Sequence, residues 1–151
     1  MNKTFYITTP IYYVNDIPHI GHAYTTILAD VLSRHQKQIG NDSFFLTGVD
    51  EHGQKVQEAA KKRGMNPLQH CDELAKRFTS LWKELHISND DFIRTTEQRH
   101  QKVVKKILNI VNDAGDIYAD EYEGLYSISE ERFITEKESE SGQFRDIKKL
   151  K

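Results

Sequence analysis

The sequence has a single cysteine, no excess of one charge and no long apolar run, and each shortage excludes a class of protein. The lone Cys71 excludes an intrachain disulfide framework and a zinc site built from several thiolates. No segment approaches the roughly 18 consecutive apolar residues of a membrane helix, and the N-terminal stretch MNKTFYITT lacks the apolar run of a signal peptide. These absences predict a cytoplasmic protein without a membrane partner.

Charge and glycine patterns exclude further classes. The 21 Lys and Arg residues nearly balance the 23 Asp and Glu residues, so no global basic field indicates a nucleic-acid binder, although a local basic patch would still be compatible with one. Glycine-rich dinucleotide and P-loop fingerprints are absent. With 37% apolar residues among 151, the composition is that of a folded protein with one core.

Strand-like and helix-like segments alternate along the chain. The segments TFYITT, SFFLTG and DDFIRTT are rich in β-branched and aromatic residues, which predicts strands over 4–9, 43–48 and 90–96. Apolar residues at helical spacing and glycines at helix ends predict helices over 19–39, 54–63 and 67–85, and a fourth that opens with a capping box at 95–98 and runs to about 113. This order predicts an α/β fold, a parallel sheet with helices on both faces, whose ligands bind at the carboxyl ends of the strands.

The helix ends and the apolar faces of the helices are predicted residue by residue. Asn66 before Pro67 predicts an N-cap and a first-turn proline, and Thr95 with Gln98 predicts a capping box. The apolar positions of the first helix are Ile20, Ala23, Ile27, Val31 and Ile39, and those of the third are Leu68, Cys71, Leu74, Phe78, Leu81, Trp82 and Leu85. We expect the stripe on the third helix to be core.

Residues 116–151 differ in character from the rest. They are interpreted as a hairpin around Glu123 and Gly124, followed by a charged, apolar-poor tail that closes no core of its own and ends in the solvated run RDIKKLK. We therefore expect two parts, 1–115 and 116–151, and we expect the chain to be the leading part of a longer protein.

The segment TTPIYYVNDIPHIGH, residues 8–22, places two histidines at a predicted helix start. Their spacing turns both imidazoles of His19 and His22 to one side of the first turn, where free N–H groups favour an anion such as phosphate. Gly21 would let a flat group such as adenine approach the backbone. Two alternatives remain: the pair caps and packs a helix start, which spacing alone favours, or it binds a metal, for which no third ligand lies nearby.

Motifs in this segment and beyond it carry a family resemblance. The residues at 19–22 match the HIGH signature of class I aminoacyl-tRNA synthetases, and the blocks TTPIYYVNDIPHIGHAYTT and FFLTGVDEHGQK resemble those of methionyl-tRNA synthetases. DDFIRTT and YEGLY follow in the family's order, so the resemblance covers essentially the whole chain. It implies that residues 1–115 are the first half of a Rossmann-like catalytic fold and that 116–151 begin an inserted α+β connective domain.

The resemblance implies a reaction and a nucleotide site. The family activates L-methionine with ATP to methionyl-adenylate and transfers the methionyl group to tRNA(Met), with Mg²⁺ arriving alongside ATP. His19 and His22 would be catalytic as donors to phosphate and not as general bases, since the attacking carboxylate is already an anion. ATP binding is carried over to Asn15, His19, Gly21 and His22, within a HIGH region of Tyr12, Tyr13, Val14, Asn15, Asp16, Ile17, Pro18, His19, Ile20, Gly21 and His22.

Methionine-binding residues are also implied by the resemblance. Ile11 and Tyr13 match the methionine-contacting loop, and Asp50 matches the carboxylate that holds the substrate ammonium; His52 is a further candidate. An aromatic wall suits a thioether, and a carboxylate suits an amine. Without the resemblance, core packing of Ile11 and Tyr13 and helix capping by Asp50 would be the preferred interpretations.

The chain departs from zinc-carrying relatives in the hairpin after YEG. Where those relatives have a Cys-x-x-Cys knuckle, this chain has Ser127 and Glu130. A neutral hydroxyl and one carboxylate cannot replace two thiolates, and Cys71 is expected in the core, so the hairpin is predicted to be free of zinc.

Parts of the family pattern are absent from these 151 residues. The lysine-bearing KMSKS loop, which stabilises the leaving pyrophosphate, does not occur, and neither does a helical anticodon-binding domain. The chain alone is therefore predicted to be inactive. The alternatives are a non-catalytic nucleotide-binding module and another nucleotidyltransferase with a HIGH motif.

Overall fold

The computed structural model describes residues 3–144 and 146–150, and the chain divides into two compact units between Lys106 and Ile107. No helix in those described ranges is long and apolar enough to cross a membrane. The elements are β1 (Thr4–Thr8), β2 (Tyr12–Tyr13), α1 (Ile20–Gln38), β3 (Asp42–Asp50), α2 (Gln54–Lys62), α3 (Pro67–Glu84), β4 (Asp91–Arg94), α4 (Gln98–Asp113), β5 (Gly124–Ser127), β6 (Arg132–Ile134), α5 (Glu136–Glu140) and β7 (Ile147–Leu150).

A parallel sheet centred on β3 organises the first unit. β1 pairs with the first half of β3, β2 pairs with its end along the same edge, and β4 pairs along the other edge. At the β3–β4 contact, a Cβ on Gly48 would lie 2.1 Å from the carbonyl oxygen of Ile93, so this register requires glycine. The predicted strands and the α/β, Rossmann-like fold class are confirmed, whereas the two-residue strand β2 was not predicted.

Helix α1 confirms the predicted helix but buries a different face. The predicted apolar positions lie largely in solvent: Ile20 is 86% exposed and Val31 55% exposed. Gly40 follows the helix with a φ of 86°, as a terminal glycine should. The residues that α1 buries are Thr26, Ala29, Asp30 and Ser33.

Matched polar partners explain how this mostly polar face can be buried. The Thr26 hydroxyl lies 2.9 Å from the Tyr12 hydroxyl, and the Ser33 hydroxyl lies 2.9 Å from that of Ser43 on β3. Asp30 accepts hydrogen bonds from the backbone N–H and the hydroxyl of Ser88, which hold the pKa of its carboxyl below the usual value even though burial raises it. Because each buried polar group is bonded, its burial carries no large penalty.

Helix α3 supplies most of the core. As predicted, the Asn66 side chain accepts the backbone N–H of Leu68 at 2.9 Å and Pro67 opens the helix. The expected stripe is buried in its middle, while Leu68 and Leu85 at its two ends are exposed. The core comprises Tyr12, Val14, Val49, Val56, Cys71, Leu74, Ala75, Phe78 and Trp82. Cys71 lies in this core, and burial, followed by the charge of Glu51, raises the pKa of its thiol to about 11.

The second unit contains an antiparallel sheet in the order β6, β5, β7. The prediction of a hairpin around Glu123 and Gly124 is wrong, because Gly124 begins β5 and the chain turns at 128–131. A Cβ on Gly124 would lie 3.1 Å from the Phe133 ring, so this glycine makes room for an aromatic contact and does not form a turn. The final run, described over 146–150, contains β7: its two lysines are exposed, but its backbone pairs with β5.

Candidate functional site

A cavity of about 470 Å³ opens where β2 leads into α1. It brings together residues predicted separately as nucleotide-binding and methionine-binding. Its lining consists of Ile11, Tyr12, Tyr13, Asn15, Asp16, Ile17, His19, His22 and Lys55. Of these, only Lys55 was not singled out from the sequence. Lys55 belongs to the DEHGQK block and lies in the first turn of α2. Its place shortly after the end of a predicted strand, where ligands were expected to bind, is the signal that could have identified it.

The two histidines cap α1 with their own rings. His19 Nδ1 accepts the backbone N–H of Gly21 at 3.1 Å, and His22 Nδ1 accepts the backbone N–H of His19 at 3.2 Å. Their rings stack with centroids 3.7 Å apart. A ring nitrogen that accepts a hydrogen bond carries no proton, so each neutral imidazole has its proton on Nε2. The capping interpretation is therefore confirmed, and the Nε2–H of each ring is the donor that takes no part in capping.

His22 is kept neutral by its surroundings. Its ring lies 4.7 Å from the Tyr12 ring and 5.3 Å from the Phe78 ring, between centroids. Burial, and then electrostatic repulsion from the neighbouring His19 ring, lower the pKa of His22 below its ordinary value. Tyr12 is buried in the core and also lines the cavity, so it forms the side of the cavity that faces the core.

Gly21 makes room for the ring of His19. A Cβ at this position would lie 3.0 Å from His19 Cε1 and 3.1 Å from its Nδ1. Contacts that short require the ring to move away from the backbone it caps. Glycine at position 21 is therefore explained by the close approach of the His19 ring. That it also lets an adenine approach the backbone stays a prediction.

Asp50 ends β3 directly beside the loop that carries the other candidates. Tyr13 is its register partner, and the Val14 backbone N–H donates to the Asp50 carbonyl at 3.3 Å. The Asp50 carboxylate accepts at Oδ1, from the His52 N–H at 3.2 Å and the Thr95 hydroxyl at 3.5 Å. The N-cap of α2 is Gly53, so the interpretation of Asp50 as a helix cap is wrong. The two bonds fix the carboxylate at the end of β3, where it can attract a cation.

Arg94, the last residue of β4, and Thr96, two residues later, hold the turn that follows Asp50. Arg94 donates to Glu51 Oε1 at 2.7 Å and to Asp72 at 2.6 Å, and the Thr96 hydroxyl donates to the other Glu51 oxygen. The Glu51 side chain is fully buried. Burial acts to lower the pKa of Arg94, but hydrogen bonds to Glu51 and Asp72 outweigh it and raise that pKa.

Thr95 does not form the predicted capping box. α4 begins at Gln98, and the Thr95 hydroxyl is instead engaged with the Asp50 turn: it accepts the Glu51 N–H at 2.9 Å and lies 2.9 Å from His52 Nδ1. The Thr95 hydroxyl forms these long-range hydrogen bonds in place of the local capping bond. No spacing rule could have found these partners, because they lie more than 40 residues apart.

His70, on α3, bonds to the loop that leads into α1, and the sequence analysis did not single it out. It is 1% exposed; its Nε2 donates to the Val14 carbonyl at 2.8 Å, and Arg63 donates to its Nδ1 at 3.0 Å. Both ring nitrogens therefore have fixed roles, which hold the loop residue just before Asn15 in place.

Comparison with known proteins identifies the family. Residues 5–142 match the family model described as tRNA synthetases class I (M). The chain belongs to the methionyl-tRNA synthetase family. It is 56% identical over 136 residues to the methionine–tRNA ligase of Fusobacterium nucleatum and 54% identical over 138 residues to that of Listeria monocytogenes, which is 90% and 91% of this chain. It spans about a fifth of the length of these methionyl-tRNA synthetases, 21% in each case.

A solved methionyl-tRNA synthetase has the same fold. The structure of the Mycobacterium tuberculosis enzyme in complex with methionyl-adenylate superposes with a TM-score of 0.90 at 37% identity, covering 98% of this chain and 31% of that one. The fold of the present chain is therefore that of the corresponding part of a class I synthetase.

Proposed function

We propose that the complete polypeptide containing this chain activates L-methionine with ATP and passes the methionyl group to tRNA(Met), in the cytoplasm. In this proposal, residues 1–115 supply the first half of the catalytic fold, residues 116–151 begin the connective domain, and the chain alone is inactive. The observation that carries the proposal is the pair of histidines that cap α1. Backbone N–H groups bond to both Nδ1 atoms, which places the ring protons on Nε2 at the helix N-terminus. Membership of the methionyl-tRNA synthetase family supports it.

The histidine pair suits phosphate in the proposed first step. The methionine carboxylate attacks the α-phosphorus of ATP, the bond to the β-phosphate oxygen breaks, and pyrophosphate leaves with the bonding electrons. Negative charge grows on the phosphate oxygens, and His19 and His22 donate to them from Nε2 at the N-terminus of α1, where the helix dipole favours an anion. Asn15 and Gly21 complete the ATP site, and ATP would bind there as its Mg²⁺ complex, in which the ion would offset part of the phosphate charge.

The carboxylate of Asp50 suits the methionine ammonium. Its Oδ1 is held by the protein at the end of β3, so a cation would meet a carboxylate whose position is already set. Ile11 and Tyr13 line the cavity and are 41% and 44% exposed before any substrate is present. An aliphatic chain and an aromatic ring offer a thioether favourable contacts.

Methionine-dependent exchange of pyrophosphate into ATP tests this proposal on the complete polypeptide. We expect exchange with methionine and little with leucine, isoleucine or valine. Asp50→Asn should raise the KM for methionine about 100-fold, since a desolvated ammonium loses its charged partner. Asp42→Asn, an exposed carboxylate at the start of β3, is the matched control and should change nothing.

Other outcomes would favour the alternatives. ATP binding without exchange for any amino acid would indicate a non-catalytic nucleotide-binding module. Adenylate transfer to a substrate that is not an amino acid would indicate another nucleotidyltransferase. An unchanged KM in Asp50→Asn would remove Asp50 from the methionine site.

A further inference from the structure

The hydroxyl of Thr95 contacts three consecutive residues of the turn after β3. Its oxygen accepts the Glu51 N–H at 2.9 Å, lies 2.9 Å from His52 Nδ1 and lies 3.5 Å from Asp50 Oδ1. Thr95 is 5% exposed, and its own N–H donates to the Val49 carbonyl at 3.4 Å, which continues the strand pairing of β4. The hydroxyl is therefore held at a fixed place in the sheet.

The hydrogen-bonding capacity of a hydroxyl matches these contacts. It has one proton and two lone pairs. If His52 Nδ1 carries a proton, the oxygen accepts from Glu51 and His52 and donates its own proton to the Asp50 carboxylate, so every group is satisfied. If Nδ1 is unprotonated, the hydroxyl donates to it instead. In both arrangements the turn is tied to β4 through this oxygen.

We propose that Thr95 is a positioning residue for Asp50 in methionine binding. Its hydroxyl contacts Oδ1 of the carboxylate and holds the 50–52 turn, which fixes the orientation in which Asp50 meets the substrate ammonium. This inference rests on the proposed function of Asp50. Loss of the Thr95 hydroxyl should therefore weaken methionine binding and leave ATP affinity unchanged. The bonds that position His19 and His22 lie within residues 19–22 and do not involve Thr95.

Thr96 provides a matched control. It is the adjacent residue, of the same type, and its hydroxyl also donates to the turn, but only to the buried Glu51 carboxylate. Thr95→Val keeps the shape and removes the hydroxyl, Thr95→Ser keeps the hydroxyl, and Thr96→Val removes the neighbouring one.

Steady-state pyrophosphate exchange with the complete polypeptide gives the decisive comparison. Thr95→Val should raise the KM for methionine about 10-fold, with the KM for ATP unchanged, and Thr95→Ser should restore it. Thr96→Val should lower the melting temperature without separating the two KM values. An unchanged methionine KM in Thr95→Val, an equal rise in both KM values, or a serine variant as impaired as valine would overturn the proposal. If Thr95→Val does not fold, Thr95→Ala replaces it in the same comparison.

A second measurement separates this inference from the proposed function. If the unsubstituted protein shows no methionine-dependent exchange, the proposed function fails, and amide hydrogen exchange without substrates then decides the role of Thr95. Faster exchange at Glu51 and His52 in Thr95→Val than in Thr96→Val supports a turn held by Thr95. Equal exchange in the two variants overturns it.

Discussion

The two loops of the candidate site are held in opposite ways. In the loop around residues 19–22, each capping bond joins residues two or three apart. In the turn at residues 50–52, the bonds from β4 span 43 to 45 residues. The capping bonds of the first loop are local and should persist when β4 changes, and the long-range support of this segment is the bond from His70 to the Val14 carbonyl. The second depends on the assembled sheet, so substitutions in β4 should act on it across a large sequence distance.

Breaking the support of the second loop should have the largest effect. Arg94→Met leaves the buried Glu51 carboxylate without its charged partner, and we expect a loss of about 3 kcal/mol in the free energy of unfolding. Arg99→Met is the matched control, because Arg99 also binds two carboxylates, Asp91 and Glu97, but at the surface. It should cost less than about 1 kcal/mol. Urea unfolding of both variants measures the difference, and equal losses would contradict the comparison.

Changing the first loop should affect catalysis more than stability. His19→Ala and His22→Ala are each expected to slow pyrophosphate exchange about 100-fold or more, as removal of a donor to a developing oxyanion does. His19→Asn sharpens the test, since asparagine is a good N-cap but lacks the Nε2–H. It should keep the melting temperature and lose the activity. His35→Ala, in the last turn of the same helix, should retain both; full activity in His19→Asn would exclude the donor role.

Acid should weaken the first loop through His22. Because the pKa of His22 is lowered in the folded protein, the unfolded chain binds a proton first as the pH falls below about 6.5. This contribution to stability is complete above that pH and is lost on acidification, when protonation of Nδ1 would also remove the acceptor for the His19 N–H. The melting temperature should therefore fall less steeply from pH 7.5 to 5.5 in His22→Asn than in the unsubstituted protein. Parallel pH profiles would show that His22 makes no such contribution.

The smallest effect is expected at a third turn, residues 128–131. Ser127 is fully buried, and its hydroxyl accepts the Glu130 N–H at 3.3 Å and lies 3.2 Å from the Ser129 hydroxyl. Because the hydroxyl of Ser127 and the single carboxylate of Glu130 cannot replace two thiolates, a chelator should leave the melting temperature of the complete polypeptide unchanged, and elemental analysis should find no stoichiometric zinc. Zinc that is lost together with the fold of residues 124–134 would contradict this prediction.

The elements of the fold were largely predictable because their signals are local. Helical spacing, the cap at Asn66 and terminal glycines are properties of short windows, and the structure confirms α1, α2 and α3 from them. The capping by His19 and His22 is also a local feature, since each ring bonds to a residue within four positions in the chain. The misplaced hairpin at Gly124 shows the limit of such signals: glycine indicates either a turn or a close contact, and here the contact is with an aromatic ring from another strand.

The amino-acid sequence by itself determined the α/β class, the family and the loop in which the histidines meet, because each depends on residues close together in the chain. Tertiary structure alone decided the buried polar face of α1, the partners of the Thr95 hydroxyl and the placement of Glu51, Arg94 and His70. A buried polar side chain is acceptable only where a partner is brought to it. That partner comes from another strand or helix, so its identity is set by the packing of the sheet and not by any pattern along the chain.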